Sequence, residues 1–342
     1  MKKRKILILG GAGFIGSAIV KLMVEKRSYD ITIGDSFTNN SNKNDSFFSY
    51  LNDNKIKLIN EDFTDSSQFK KLDNDYDDFY MLASMIGVNN TLKNPHEVIR
   101  VNTALIYNSL EWLKKTKIKN VLFTSTSECY SGTIDKFNYK IPTPEEIPLC
   151  IDPIDHPRFT YAVTKMLGES GFLNYSRIYN FNCKIIRYNN VFGPNMGFGH
   201  VIPHLVERFL KKENPFKIYG GNQTRSFCYI DDGALGTIQA MECKEAKRDI
   251  FHIGSENEIL IKDLIFETGN YFDFNGEYIM APTYPGSVSR RCPDISKSKK
   301  MFGYEPKVNW KKGLIKTLDW YKKYFLKYKG SYFKGPSEIY SL

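Results

Sequence analysis

The sequence predicts an α/β fold: a doubly wound parallel sheet with a smaller α/β substrate domain interleaved with it. Three observations carry this. A short apolar run at 5–9 leads directly into the turn Gly10-Gly11-Ala12-Gly13-Phe14-Ile15-Gly16, and an amphipathic segment follows at 17–26. A second strand, 29–34, ends in Asp35. Strand-like and helix-like segments then alternate up to a fifth apolar run at 119–124, the pattern of parallel strands joined by crossover helices. Gly11-x-Gly13-x-x-Gly16 is the spacing of a dinucleotide turn, in which glycines let a pyrophosphate approach backbone N–H groups at a helix start. A carboxylate at the end of the next strand is placed to hydrogen-bond a ribose, so the segment reads as a Rossmann nucleotide site.

Taken in order, 36–53 is an Asn/Ser-rich loop long enough to cover an adenosine. It places no Arg or Lys directly after Asp35, and a carboxylate repels a 2′-phosphate, so NAD is expected rather than NADP. Strand three, 55–59, runs into Glu61-Asp62-Phe63, with Asp62 expected beside the adenine. Strand four, 78–82, opens into Ala83-Ser84-Met85, small enough for a cofactor to cross, and a long helix at 95–116 carries Asn102. Strand five, 119–124, is apolar enough to be buried on both faces. It ends in Ser125-Thr126-Ser127-Glu128-Cys129-Tyr130, a polar cluster at the sheet edge where ligands of such folds bind; alone it reads equally as a polar turn. Segment 131–158 is mostly irregular and contains five prolines (Pro142, Pro144, Pro148, Pro153 and Pro157), and a connection of that length is more often a functional cover than filler. A helix over 160–176 then puts Tyr161 and Lys165 one turn apart on one face. An ammonium there is expected to lower the phenol pKa and make a base for a sugar hydroxyl.

Composition bounds the alternatives. The 342 residues carry a formal charge of +10, but the lysines are scattered and no nucleic-acid motif accompanies them, so a solvated basic surface is expected and nucleic-acid binding is not. The six cysteines lie far apart without a Cys-x-x-Cys or a Cys/His cluster, which argues for reduced thiols and against a metal site. No secretory stretch opens the chain and no apolar run reaches the roughly eighteen residues of a membrane span. A cytoplasmic protein without a membrane partner is expected.

Together, Gly10 to Gly16, Asp35, Asp62, the Ser/Thr cluster and Tyr161 with Lys165 resemble the extended short-chain dehydrogenase/reductases that act on nucleotide sugars, the NAD-dependent epimerase/dehydratase group. The resemblance continues through the second half. Arg187-Tyr188-Asn189-Asn190-Val191-Phe192-Gly193-Pro194 looks like the crossing into the sugar-binding domain, and His200-Val201-Ile202-Pro203 like the opening of a nucleotide-binding helix. Gly220 to Arg225 precedes a strand expected to end in Asp231-Asp232, Phe251 to Gly254 resembles a strand returning to the core, and 310–328 a terminal helix before a tail. The resemblance implies cofactor contacts from Gly10, Gly13, Phe14, Ile15, Gly16, Asp35, Asp62, Phe63, Ala83, Asn102, Tyr161 and Lys165. It implies substrate contacts from Asn190, Val201, Arg225 and Arg291, the two arginines gripping a diphosphate by their planar forks. It also implies a cofactor domain over 1–188 with 226–254 returning to it, a nucleotide-sugar domain from 189–225 and 255–330, a tail at 331–342, and a homodimer through the helices beginning at Pro95 and Thr160.

The chemistry implied is oxidation at sugar C4, with Tyr161 taking the hydroxyl proton, Thr126 bonding the same oxygen and Lys165 holding the cofactor ribose. Three second steps compete: 4-epimerisation, 4,6-dehydration and loss of CO₂ from C5. Dehydratases of the group carry Thr-Asp-Glu, whereas this chain has Thr126-Ser127-Glu128, and serine is a weak acid. Thr-Ser-Glu with Gln223-Thr224-Arg225-Ser226-Phe227 looks most like the UDP-glucuronate decarboxylases, from which segments 131–158 and 196–200 differ. A regulator that senses NAD without turnover is the non-enzymatic alternative.

Overall fold

In the computed structural model, which describes residues 3–37, 45–283 and 287–327, strands and helices alternate from the first residues onward. The order is β1 (Arg4–Leu9), α1 (Phe14–Lys26), β2 (Tyr29–Asp35), α2 (Asp45–Asp53), β3 (Lys57–Asn60), β4 (Asp78–Met81), α3 (Val88–Lys93), α4 (Pro95–Leu113), β5 (Asn120–Thr126), α5 (Ser131–Phe137), α6 (Thr160–Tyr179) and β6 (Asn182–Tyr188). Then come β7 (Val191–Phe192), α7 (Val201–Leu210), β8 (Phe216–Tyr219), β9 (Thr224–Ser226), β10 (Cys228–Tyr229), α8 (Ile230–Glu242) and β11 (Arg248–Ile253). The chain finishes with β12 (Glu258–Leu260), α9 (Ile261–Tyr271), β13 (Tyr278–Ala281), β14 (Arg290–Arg291), α10 (Ser296–Phe302) and α11 (Trp310–Lys327).

Seven strands form one parallel sheet in the order β11-β6-β5-β4-β1-β2-β3. Because successive side chains of a strand point to opposite faces, β1 feeds two cores. Ile6 and Ile8 pack with α1 and α8 residues such as Ile19, Val20 and Ile238, while Leu7 and Leu9 pack with α4 and α6 residues such as Leu110 and Phe172. The strand order reverses between β1 and β4, and a doubly wound sheet opens its ligand crevice at such a switch point. Three small sheets, β10-β7, β12-β9-β14 and β13-β8, surround a third core of Phe209, Phe216, Ile218, Leu264, Leu318 and Tyr321. Phe14 and Ile15, at the start of α1, pack against that third core.

Several boundaries differ from the sequence reading. Helix α1 begins at Phe14 rather than residue 17, because the glycine turn is already closing into the helix: Ser17 N donates to Gly13 O. The loop expected at 36–53 contains α2, and 38–44 lie outside the described residues, as does the expected tail. Segment 131–158 is not irregular throughout, since it opens with α5. Asp231 and Asp232 do not end a strand; they occupy the first turn of α8, where carboxylates complement the helix dipole. The return of 248–253 to the main sheet is observed as β11 beside β6.

Candidate active site

The cofactor cradle is built from backbone. A Cβ on Gly16 would lie 2.2 Å from Gly10 O, so only glycine lets α1 rise tightly beneath the turn. The N-cap of α1, Gly13, offers no side-chain hydrogen bond, and the first turn holds no acidic residue. Its N–H groups and the positive end of its dipole therefore remain for an anion. Ala83 N donates to Leu9 O, which brings the β4 edge against the turn beside Gly10. Asp35 accepts from Ala12 N at 3.0 Å through one oxygen and from Phe37 N at 2.9 Å through the other. Burial raises its carboxyl pKa while those two bonds lower it. Each oxygen keeps a lone pair for a ribose hydroxyl, so this donor set fits a dinucleotide.

Other expected cofactor contacts sit differently. Asp62 accepts from Thr64 N at 2.9 Å, capping its own turn. The Phe63 ring is buried against Phe69 and the flank of Gly34, so it packs the core rather than offering its side chain to a ligand. Asn102 is buried and fully engaged: it accepts from Met85 N and Ser84 Oγ, and it donates to Met85 O and Thr164 Oγ1. It staples the segment after β4 to α6.

Helix α6 lies close on β5 because Gly168 meets the Phe123 ring where any Cβ would clash, at 2.2 Å. That approach lets buried Lys165 donate to Thr124 O at 2.8 Å, with its Nζ 4.8 Å from the Phe123 centroid and 5.6 Å from the Tyr161 centroid. Burial lowers Lys165 to about 8, opposed by the neighbouring Cys129 thiol and the Glu169 carboxylate. The expected lowering of Tyr161 is not found. Burial, then the neighbouring Cys129 thiol and Glu128 carboxylate, move its phenol upward, and Lys165 directs its ammonium to a strand carbonyl. Thr126 Oγ1 accepts from Glu128 N at 3.2 Å, which leaves the hydroxyl proton to donate. Ser127 is buried in the 3-10 turn Ser127–Tyr130.

The largest departure from sequence expectation is a group of arginines about Glu128. Arg291 Nη1 donates to Glu128 Oε1 at 2.6 Å across 163 residues, and Arg158 Nη2 lies 3.8 Å from the same oxygen. Burial would raise the Glu128 pKa, but the charges of Arg291, Arg158 and Arg225 and the Arg291 bond hold it at about 2. Burial and the Arg291 charge push Arg225 down to about 9, against the pull of Glu128. Arg225 is tethered to Thr224 O at 2.7 Å and Val288 O at 2.7 Å. Arg291 is only 5% exposed, and its Nε and Nη2 are buried with no hydrogen-bond partner among the described residues. Buried donors are nearly always satisfied, so these two point to an anionic ligand. Asn190 spends its amide nitrogen on Ser226 O and holds a left-handed backbone, φ 42°. Val201, at the first position of α7, is 37% exposed.

The sequence reading missed Arg158. Its signal was weak: an arginine three residues before Tyr161, in the segment read only as a cover. It also missed the buried Glu169, whose place one turn after Lys165 was legible but unassigned.

A doubly wound sheet with an uncapped glycine turn, a Tyr/Lys pair on α6 and an arginine cluster about Glu128 is the arrangement of a dinucleotide-dependent enzyme. The chain belongs to the NAD dependent epimerase/dehydratase family, whose sequence profile matches residues 6–254. NAD is thus the cofactor, and the chain is a nucleotide-sugar enzyme. A UDP-N-acetyl-alpha-D-glucosaminuronate decarboxylase of Bacillus cytotoxicus is 32% identical over 330 residues, 94% of this chain and 98% of the relative. UDP-glucuronic acid decarboxylase 3 of Arabidopsis thaliana is 30% identical over 91% of this chain and 86% of its own length. Among solved structures, a UDP-glucuronic acid 4-epimerase of Bacillus cereus in complex with UDP-glucuronic acid and NAD matches with a TM-score of 0.82 at 27% identity, covering 94% of this chain and 99% of that one.

Proposed function

We propose that this enzyme acts on a UDP-linked uronate and decarboxylates it through a 4-keto intermediate. The observation that carries this reading is Glu128, held ionised at about 2 among Arg291, Arg158 and Arg225 beside Thr126. A carboxylate that weak is a poor base at neutral pH, and 4,6-dehydration needs a base at C5. A β-keto acid loses CO₂ without one. Arg158 stands three residues ahead of Tyr161 with a long ion pair, 3.8 Å, to Glu128, and a guanidinium so placed suits a carboxylate on the sugar. The named relatives that decarboxylate or epimerise uronates support the same substrate class.

NAD supplies the hydride acceptor. Tyr161 takes the O4 proton, Thr126 donates to the same oxygen, and Arg225 with the free Nε and Nη2 of Arg291 holds the diphosphate. The C5–carboxyl bond then breaks, its electron pair entering the C4 carbonyl as an enolate. A proton adds at C5, and hydride and the Tyr161 proton return to C4 and O4. The second reading, 4-epimerisation with mass unchanged, is favoured by the likeness to the B. cereus 4-epimerase. Incubation with UDP-glucuronate and its 2-acetamido analogue, read by mass spectrometry and proton NMR, separates them. Loss of CO₂ supports the first reading, unchanged mass with an altered C4 coupling supports the second, and turnover of neutral UDP-hexoses alone overturns both.

We further assign 1–188 with 226–254 to the cofactor half, and 189–225 with 255–330 to the sugar half. A homodimer through α4 and α6 accounts for Ile99, Tyr107, Leu167 and Ile178, large apolar side chains 48–77% exposed on these neighbouring helices, a pattern that marks interfaces. No helix among the described residues is long and apolar enough to cross a membrane, and the cytoplasm is the compartment we assign.

A further inference from the structure

Beneath the reacting edge lies an ion pair that touches neither the cofactor cradle nor the pocket. Glu169, one turn beyond Lys165 on α6, is gripped by Arg187 of β6 through two bonds, Nε to Oε1 at 2.8 Å and Nη2 to Oε2 at 2.6 Å. The side chains are 2% and 5% exposed. The same Glu169 Oε1 accepts from Ser125 Oγ at 2.5 Å. Ser125 sits between Thr124, whose carbonyl receives the Lys165 ammonium, and Thr126. On its other side Arg187 donates from Nη1 to Glu145 O at 2.9 Å.

Glu145 belongs to the long segment after α5, and this segment is sewn down. The Glu145 carboxylate accepts from His252 N at 2.9 Å. Two residues earlier, Thr143 N donates to Cys292 O at 2.9 Å, and Asp294 N donates to Thr143 O at 2.8 Å. Those bonds fix the stretch directly after Arg291. Buried hydrogen bonds therefore run from the strand end carrying Thr126 through Glu169 and Arg187 to Glu145, and the chain from Glu145 back to Thr143 carries the link on to the backbone next to Arg291.

We propose that Glu169 and Arg187 are positioning residues that hold the Lys165 ammonium and the Thr126 strand end in register with the anion-binding Arg291, using the 138–158 segment as a fixed strut rather than a lid. The inference rests on the proposed roles of Lys165 and Arg291. Lys165 is faced by Tyr161 and Glu169 on its own helix, by the Thr124 carbonyl and Phe123 ring of β5, and by Cys129 of the 3-10 turn, with Arg187 behind Glu169. Cys129 is pushed up to about 12 by burial and is neutral, so Glu169 is the negative charge near Lys165 and Arg187 the charge that balances it.

Three proteins test this. In NMR of lysine-labelled protein, with Lys165→Gln as the assignment control, the wild-type Lys165 titrates with a midpoint near 8. Glu169→Gln removes the negative charge and leaves Arg187 unbalanced, so the midpoint falls by about one pH unit or more, and the alkaline limb of kcat moves with it. The double variant E169Q/R187M removes both charges at similar volume, and the midpoint returns to within about half a pH unit of wild type. Because that double variant also loses the Glu145 contact, KM for the nucleotide sugar rises about tenfold or more. An unmoved Lys165 midpoint in Glu169→Gln, or a wild-type KM in the double variant, overturns the proposal. The neutral pair keeps the test decisive should the single variant not fold. The NMR measurement needs no substrate, so failure of the uronate reading leaves it intact.

Discussion

The two ends of the candidate active site are made in opposite ways. The glycine turn and Asp35 lie within 26 residues of sequence and work through backbone N–H groups, close approach and one carboxylate satisfied by neighbours. The arginine cluster draws Glu128, Arg158, Arg225 and Arg291 from four distant stretches and works through charge, with three guanidinium groups around one carboxylate. In the first region the fold supplies a shape-defined cradle with a single carboxylate. In the second it confines an excess of positive charge that only an anion completes. The difference predicts that the cradle fails when its shape is changed, whereas the cluster fails when its charge is changed.

The largest effect is expected between the two regions, at Tyr161, the residue proposed to transfer the proton. Tyr161→Phe should lower kcat by about 10²- to 10⁴-fold while leaving thermal stability and bound NAD as in wild type; unchanged turnover would remove Tyr161 from the mechanism. Next comes Glu128→Gln, which keeps the shape and deletes the charge at the centre of the cluster. Arg291 and Arg225 would then sit buried without their carboxylate, a loss of about 2–4 kcal/mol, read as a lower urea midpoint. The sign with pH follows from the depressed pKa. The Glu128 contribution is present in full above the unfolded carboxylate value of about 4.3 and is lost as pH falls through about 2. The gap between wild type and variant should therefore be flat from pH 5 to 8 and close below pH 4. A gap that widens on acidification would contradict the assigned charges.

Gly16→Ala is the matching change of shape in the cradle. It adds one methyl, no charge, and places it 2.2 Å from Gly10 O, a backbone atom that cannot swing away. About 1–3 kcal/mol of stability should be lost, together with affinity for NAD, measured by fluorescence titration with the reduced dinucleotide. Affinity at the wild-type level would mean that the turn tolerates more room than the structure gives it.

The same contrast explains what was legible in the sequence. The turn, Asp35 and the Tyr161/Lys165 pair are short-range patterns whose spacing fixes their geometry, so the doubly wound sheet and the cofactor could be read from them. The Arg291 to Glu128 contact spans 163 residues, and no local spacing encodes it. The resemblance supplied Arg225 and Arg291 but not what they face, and Arg158 was hidden in a proline-rich stretch without periodicity. The direction of the Tyr161 shift was misjudged for a related reason. Spacing on a helix shows that Lys165 can reach Tyr161, but not that burial and the Glu128 charge oppose it, nor that the Thr124 carbonyl takes the ammonium first. Asn102 was expected at the cofactor, and its four bonds to the segment after β4 and to α6 could be seen only once those elements met.

The smallest effect should come from repeating the carboxylate-to-amide edit at Asp35. Burial raises the pKa of this group, so at neutral pH the ionised side chain costs the fold something that Glu128, stabilised by arginines, does not. Asp35→Asn removes that cost and also one of the two acceptor bonds, to Ala12 N or Phe37 N, which is worth about 1 kcal/mol. The two terms oppose, and stability at pH 7 should change by less than about 1 kcal/mol. The relief from the buried charge exists only above the unfolded Asp value of about 3.9, since below it both proteins carry a neutral group. The variant should therefore fare relatively worse in acid, the reverse of Glu128→Gln, whose deficit closes there. NAD affinity should fall with the lost ribose acceptor, and discrimination against NADP should weaken as the repelling charge goes. Competitive fluorescence titration with the two reduced dinucleotides measures both. Equal losses of stability from Asp35→Asn and Glu128→Gln would show that the cradle depends on charge as much as the cluster does, and would collapse the distinction between them.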